Sequence, residues 1–156
     1  MKIKNIILII VAIAVLFIAY YLISPFFINI RIDEALPQNN EVKVVDETTE
    51  QNSKQVVVTG SAGHPASGTV RIIKSGGKNY LRYENFKTIN GPDIYVYLAK
   101  DLEAKEYVSL GKLKATEGNI NYEIPSGINP EEYPYAMTWC KTFSVLFNYA
   151  KLYWWI

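Results

Sequence analysis

An uncharged run of eighteen residues, IILIIVAIAVLFIAYYLI from Ile6 to Ile23, constrains this chain more than any other feature. Wound as a helix it covers about 27 Å, close to the ~30 Å hydrocarbon core of a bilayer. Tyr20 and Tyr21 fall near one end, where amphipathic rings favour the membrane interface. Lys2 and Lys4 precede the run and only Arg31 follows closely, which predicts a cytoplasmic amino terminus and an extracytoplasmic remainder. The alternative, a cleaved signal peptide, has an apolar core of about 7–15 residues ending in small residues. This run is longer, and AYYLISPFF after it is bulky. Residues 1–30 therefore read as a stub and a single-pass anchor in the cell membrane, meeting lipid through Ile6–Ile23.

Pro25 ends or kinks the spanning helix, since proline lacks the N–H and clashes with the preceding turn. Residues 31–55 are polar and of mixed charge, without aromatics or glycine, as expected of a linker that lifts a domain off the membrane. A short pairing of EVKVV (Glu41 to Val45) with the domain is the alternative there. Residues 56–156 carry the signals of a β domain. GTVRIIK and NYLRYENF flank Ser75-Gly76-Gly77-Lys78, whose glycines suit the positive φ of a tight hairpin. NGPD marks another turn before the alternating IYVYLAK. EYVSLGKLK, NINYEIP and YAMTWCKTFSVLF continue the series as strands. NPEEY alone suggests a helical turn, with Asn129 as cap and Pro130 first. Strands at this spacing, with no helical period between them, predict an all-β fold: an antiparallel sandwich or barrel preceded by one transmembrane α-helix.

Composition narrows function by exclusion. A formal net charge of +1 gives no basic footprint for nucleic acid. The nucleophile elbow G-x-S-x-G is missing, and no hydrolase or transferase motif stands out. Attention falls on the single cysteine, Cys140, and the single histidine, His64. Blue copper needs two histidines beside its cysteine, and structural zinc needs four ligands, so neither is expected within one protomer. The four cysteines of an iron–sulfur cluster and the C-x-x-C-H of covalent haem are also missing. A non-covalent haem on Cys140 or His64 remains open, as does a site shared between chains.

Cys140 can be a small buried hydrophobe, a reactive thiol, a partner in an intermolecular disulfide or a cofactor ligand. If YAMTWCKTFSVLF is one regular strand, Cys140 shares a small, polar face with Thr138, Thr142 and Ser144, away from Met137, Trp139, Phe143 and Phe147. That predicts some access to the thiol, unless a bulge near Lys141 re-aims the side chains. His64, within TGSAGHPASGTV, reads either as a loop histidine bonded to backbone or as a ligand residue. The closing KLYWWI reads as a last strand or as a surface docked on the bilayer.

Taken in order, GHPASGTVRI, YENFKTINGPDIYVYLAK, SLGKLKATEGNINYEIP and WCKTFSVLFNYAKL resemble the DM13 domain, over roughly Val57 to Leu152. The resemblance implies a β-sandwich-like domain of cell-surface or secreted proteins, with a redox or electron-transfer role through the cysteine of the W-C motif. Carried over, Cys140 is the redox candidate, as a bare thiol or a haem-type ligand, and His64 a secondary cofactor-binding candidate. Trp139 would then shelter the sulfur, and Lys141 would lower its pKa. Partners implied are a redox protein or a surface ligand in trans. The competing expectation is a non-enzymatic binding or adhesion module, or an accessory subunit of a membrane complex.

Overall fold

A computed structural model describes residues 3–37 and 54–152. The proposed EVKVV pairing and the terminal Tyr153–Ile156 of KLYWWI lie outside the described residues. α1 (Ile3–Ile23) is a single apolar helix of 21 residues with no buried position, long and apolar enough to span a membrane. A 3-10 turn, Ser24–Phe27, follows it with Pro25 at its start, as proline's missing N–H requires.

The rest is two five-stranded sheets packed face to face. In chain order the strands are β1 (Arg31–Asp33), β2 (Val56–Val57), β3 (Thr59–Gly60), β4 (Ala66–Ser75), β5 (Lys78–Thr88), β6 (Ile94–Ala99), β7 (Tyr107–Lys112), β8 (Glu117–Ile124), β9 (Tyr135–Cys140) and β10 (Val145–Lys151). One sheet runs β1-β8-β5-β4-β2 and the other β3-β10-β9-β6-β7, antiparallel except for the β1–β8 pair. The β4–β5 hairpin closes at Ser75 opposite Lys78, with Gly76 at φ 57° and Gly77 at φ 72°, as the paired glycines predict. Asn129 Oδ1 accepts from the Glu131 amide at 3.2 Å and Pro130 opens a short 3-10 turn, as NPEEY suggests.

The core lies between the sheets. Val70, Leu81, Tyr83, Ile120 and Tyr122 of the first sheet meet Val96, Leu98, Ala136 and Ala150 of the second. The large residues come mostly from one side and the small ones from the other, which is how facing layers reach interior density. The outer face of the second sheet is also covered, by Tyr95, Tyr97, Tyr135, Met137, Trp139 and Tyr149.

Two expectations need correction. YAMTWCKTFSVLF is not one strand: β9 stops at Cys140, residues 141–144 turn with Ser144 at φ 52°, and β10 starts at Val145. The small parity of β9 (Ala136, Thr138, Cys140) points inward, since the opposing sheet supplies the bulk, and the thiol is buried rather than accessible. The polar stretch from Arg31 also does not begin as free linker. β1 pairs parallel to β8, and the chain after it crosses the outer face of the first sheet as a strap. There the carbonyls of Glu34 and Ala35 accept from Arg82 Nη1 at 3.1 and 3.2 Å, and that of Pro37 accepts from Ser75 Oγ at 2.9 Å.

Gly118 makes the β1 contact possible. It sits at φ 111°, and a Cβ there would land on the Ile32 carbonyl oxygen. Gly118→Ala should therefore cost about 2 kcal/mol and loosen β1. Trypsin cleavage after Arg31, whose side chain is 70 % exposed, should accelerate in the variant. Unchanged cleavage would show that β1 does not hold the edge.

Candidate functional site

Cys140 stands at the end of β9, level with Ile94 of β6 and Val145 of β10. Its relative exposure is 0 %. Ile94 and Phe147 pack with it, and Ile89, Leu113 and Val145 close around this small cluster. The roof is the Ile89–Asp93 connection, which crosses from the first sheet to the second. Gly91 packs tightly here: a Cβ would stand 2.9 Å from Ile94 Cδ1 and 3.0 Å from Phe147 Cζ, so those side chains would have to shift. Asp93 latches the roof to the turn at 141–144. Its carbonyl accepts from the Lys141 amide at 3.0 Å, and Oδ2 accepts from Thr142 Oγ1 at 3.3 Å. Oδ1 lies 3.7 Å from Lys112 Nζ.

His64 reaches the same cluster from another loop. Its ring stacks on Phe147, with centroids 4.1 Å apart and planes tilted 33°. Nδ1 lies 3.0 Å from the Ala62 carbonyl and 3.3 Å from Ser61 Oγ. A carbonyl only accepts, so the ring donates through Nδ1. The loop is stitched to β10: the Ser61 amide donates to the Phe147 carbonyl at 2.9 Å and Ser61 Oγ donates to the Leu146 carbonyl. Beneath Cys140 the interior is partly polar. Asn148 Nδ2 donates to Thr88 Oγ1 at 3.0 Å, while Asn148 Oδ1 and Thr138 Oγ1 are buried without a protein partner.

The structure therefore brings Cys140 and His64 to one end of the sandwich, with the Phe147 ring between them. Phe147 was not singled out from the sequence. Its signal was its place as the last aromatic of the W-C-x-x-F-x-V-x-F segment, the same segment that holds Cys140. The other two expected neighbours of the thiol point elsewhere. Trp139 packs with Tyr95, Tyr97 and Met137 on the outer face, because alternation sends it to the side opposite Cys140. Lys141 Nζ lies 5.5 Å over the Tyr95 ring, so its charge is engaged on that outer face rather than beside the sulfur.

No group of three or more metal-ligating side chains occurs among the described residues. Cys140 does not fit thiolate ligation of a haem. Its sulfur has no exposed surface, and Ile94 and Phe147 pack against it with Ile89, Leu113 and Val145 around them. Half-buried His64, rather than Cys140, is the member of the pair that can meet an outside group.

These features define a class: a two-sheet β domain behind a membrane-length helix, with one thiol sealed at one end under a latched loop. The chain belongs to the electron transfer DM13 family, whose model matches residues 58–152, well over half of the sequence. No curated protein and no solved structure matches it. The GHPASG, NGPD and WCKTFSVLF segments turn out to be the His64 loop, the roof and the strand pair around Cys140.

Proposed function

We propose that this chain is a single-pass membrane protein that carries its DM13 domain on the extracytoplasmic side and takes part in electron transfer there. Cys140 is the redox group, held behind the Ile89–Asp93 roof, and His64 is the group that faces a partner. The observation that carries this reading is the convergence of three separate segments on Cys140 and the Phe147 ring packed beside it, in a member of a family described by electron transfer. The extracytoplasmic placement rests on Lys2 and Lys4 before the apolar run.

The step open to a lone thiol is exchange with a partner's disulfide. With the roof open, Cys140 loses its proton to water and the thiolate attacks one partner sulfur. A mixed disulfide forms and the other partner sulfur leaves as thiolate. One thiolate of a second partner's dithiol then attacks the Cys140 sulfur, releasing the first partner as a dithiol, and its neighbouring thiolate displaces Cys140 to close that partner's own disulfide. The first partner is thus reduced by two electrons, the second is oxidised by two, and the Cys140 thiolate is restored. Acid quenching and alkylation of membranes should trap a Cys140-dependent mixed disulfide on non-reducing gels. Cys140→Ala should abolish that species while the domain stays folded. A folded Cys140→Ala protein with an unchanged redox phenotype and no trapped species in wild type would overturn the reading.

A second reading has its own observation. The outer face of the second sheet is aromatic, with Tyr97 and Tyr107 stacked at 4.1 Å and Lys112 Nζ 5.8 Å over Tyr95. Burial first, then Tyr107, push the Tyr97 hydroxyl up to about 12, so the phenol stays neutral at physiological pH. Such a face suits a glycan or a neighbouring membrane subunit. Tyr107→Ala should weaken adhesion at least about threefold if this face binds, and leave disulfide trapping unchanged.

A further inference from the structure

Strand directions fix which end of the domain is nearer the anchor. β1 leaves α1 and runs parallel to β8, with Arg31 opposite Glu117. Lys87 is also opposite Glu117, and Thr88 is opposite Ala66, so these positions share the anchor end of the first sheet. The Ile89–Asp93 connection crosses to the second sheet at that end, and Asn90 Nδ2 donates to the Ile28 carbonyl at 3.2 Å. Ile94, Cys140 and Val145 follow at the same level. The turn at 141–144 therefore projects from the anchor end, next to the sealed thiol.

The distances are short. Seven residues, Ser24 to Ile30, separate α1 from β1. The 3-10 turn rises about 8 Å and the three residues after it span at most about 10 Å. The opposite end, with the Gly76-Gly77 turn, is farther by the length of β5, about 35 Å for its eleven residues. The near end also has the surface of an interfacial element. Phe143 is 53 % exposed at the tip, and Phe27 and Ile28 at the foot of the anchor are 81 % and 50 % exposed. Lys141 is exposed beside Phe143. An aromatic ring beside a lysine matches the boundary between acyl chains and headgroups.

We propose that the bilayer holding α1 also receives the turn at 141–144, with exposed Phe143 seating at the acyl boundary. The Cys140–His64 end then rests on the membrane and the Gly76-Gly77 end points away from it. A partner acting at Cys140 or His64 approaches along the membrane plane, as a membrane-bound protein does. This inference rests on the reading of α1 as an anchor.

The test uses the full chain in phosphatidylcholine–phosphatidylglycerol vesicles, with an environment-sensitive fluorophore on Phe143→Cys and, in a second sample, on Lys78→Cys at the far end. Native Cys140 has no exposed surface and does not compete for label. Lipids doxyl-labelled near the headgroup should quench the residue-143 probe at least about twofold more than the residue-78 probe, with aqueous iodide showing the reverse order. Thr142→Cys repeats the measurement with Phe143 in place. Equal iodide access at both ends overturns the inference. Protection of residue 143 without lipid quenching overturns it too and assigns the tip to a protein contact. Vesicle flotation separates the premises: a chain that fails to float refutes the anchor, and one that floats with a water-exposed residue 143 refutes only the orientation.

Discussion

Replacing Arg82 by methionine should lower the stability of the domain by about 3 kcal/mol, a fall in Tm of more than about 10 °C. Arg82 is only 6 % exposed, in the middle of β5, where a strand pattern alone would leave it in solvent. Its Nε lies 2.9 Å from Glu84 Oε1, which Arg71 Nη2 also reaches at 2.9 Å. Its Nη1 donates to Asn121 Oδ1 at 2.8 Å as well as to the strap carbonyls. Methionine fills much of the volume but leaves Glu84 with one guanidinium and takes from the Glu34 carbonyl its Arg82 donor, while the Ala35 carbonyl keeps Asn121 Nδ2 at 2.8 Å, and under-paired buried groups are what make such losses large.

The same cluster sets an acid limb. Burial raises the Glu84 pKa, but the hydrogen bonds and charges of Arg71 and Arg82 outweigh it, holding the carboxyl below its usual 4.5. A depressed folded value means stabilisation that is complete above the unfolded carboxylate range and is lost as pH falls through the lower, folded one. Wild-type Tm should therefore drop below about pH 4.5, and Arg82→Met should flatten that drop. Thermal unfolding of the detergent-solubilised full chain across pH 2.5–7 checks both. An Arg82→Met protein with wild-type Tm would show that the strap and its network are not coupled to the fold.

The second large effect concerns the thiol. In the native chain Cys140 should react with a maleimide at least about 100-fold more slowly than in urea, because reaction waits for the roof to open. Asp93→Ala removes the Thr142 and Lys112 contacts of the latch and should speed native labelling about 3- to 10-fold, the worth of one or two hydrogen bonds. Lys141→Met should leave the rate within about twofold, since that cation sits over Tyr95 and not by the sulfur. Native labelling as fast as in urea would remove the sealed-thiol description. A strong slowing in Lys141→Met would restore the electrostatic role expected from sequence.

What could be read from the sequence was local. Gly76-Gly77, NGPD and NPEEY announce their turns because the backbone chemistry needs only the residues that make the turn. The turn at 141–144 is spelled Lys-Thr-Phe-Ser, with neither glycine nor proline, and Ser144 carries the positive φ. Without punctuation the segment reads as one strand, and the parity of Cys140 then gives the wrong environment. β1 was hidden for a different reason. Arg-Ile-Asp alternates, but three residues are too few for a period to stand out, and their pairing depends on Gly118, far along the chain. Cys140 and His64 were both legible as the scarce reactive types. Their meeting across Phe147 was not, because it depends on how the β3–β10 pairing lays the Ser61–His64 loop over β10.

A protein confined to a membrane meets its own copies at high local concentration, and a β-sheet with an open border invites them to add on. Here the segment that follows α1 lies along that border itself. Ile30 accepts from Thr116 and Glu117, and Glu34 accepts from Asn121. The stretch that follows α1 thus doubles as the cover on the β8 edge. Cutting the β domain free upstream of Val56 would strip off that cover, leaving a fragment prone to self-association for reasons unrelated to the missing hydrophobic helix.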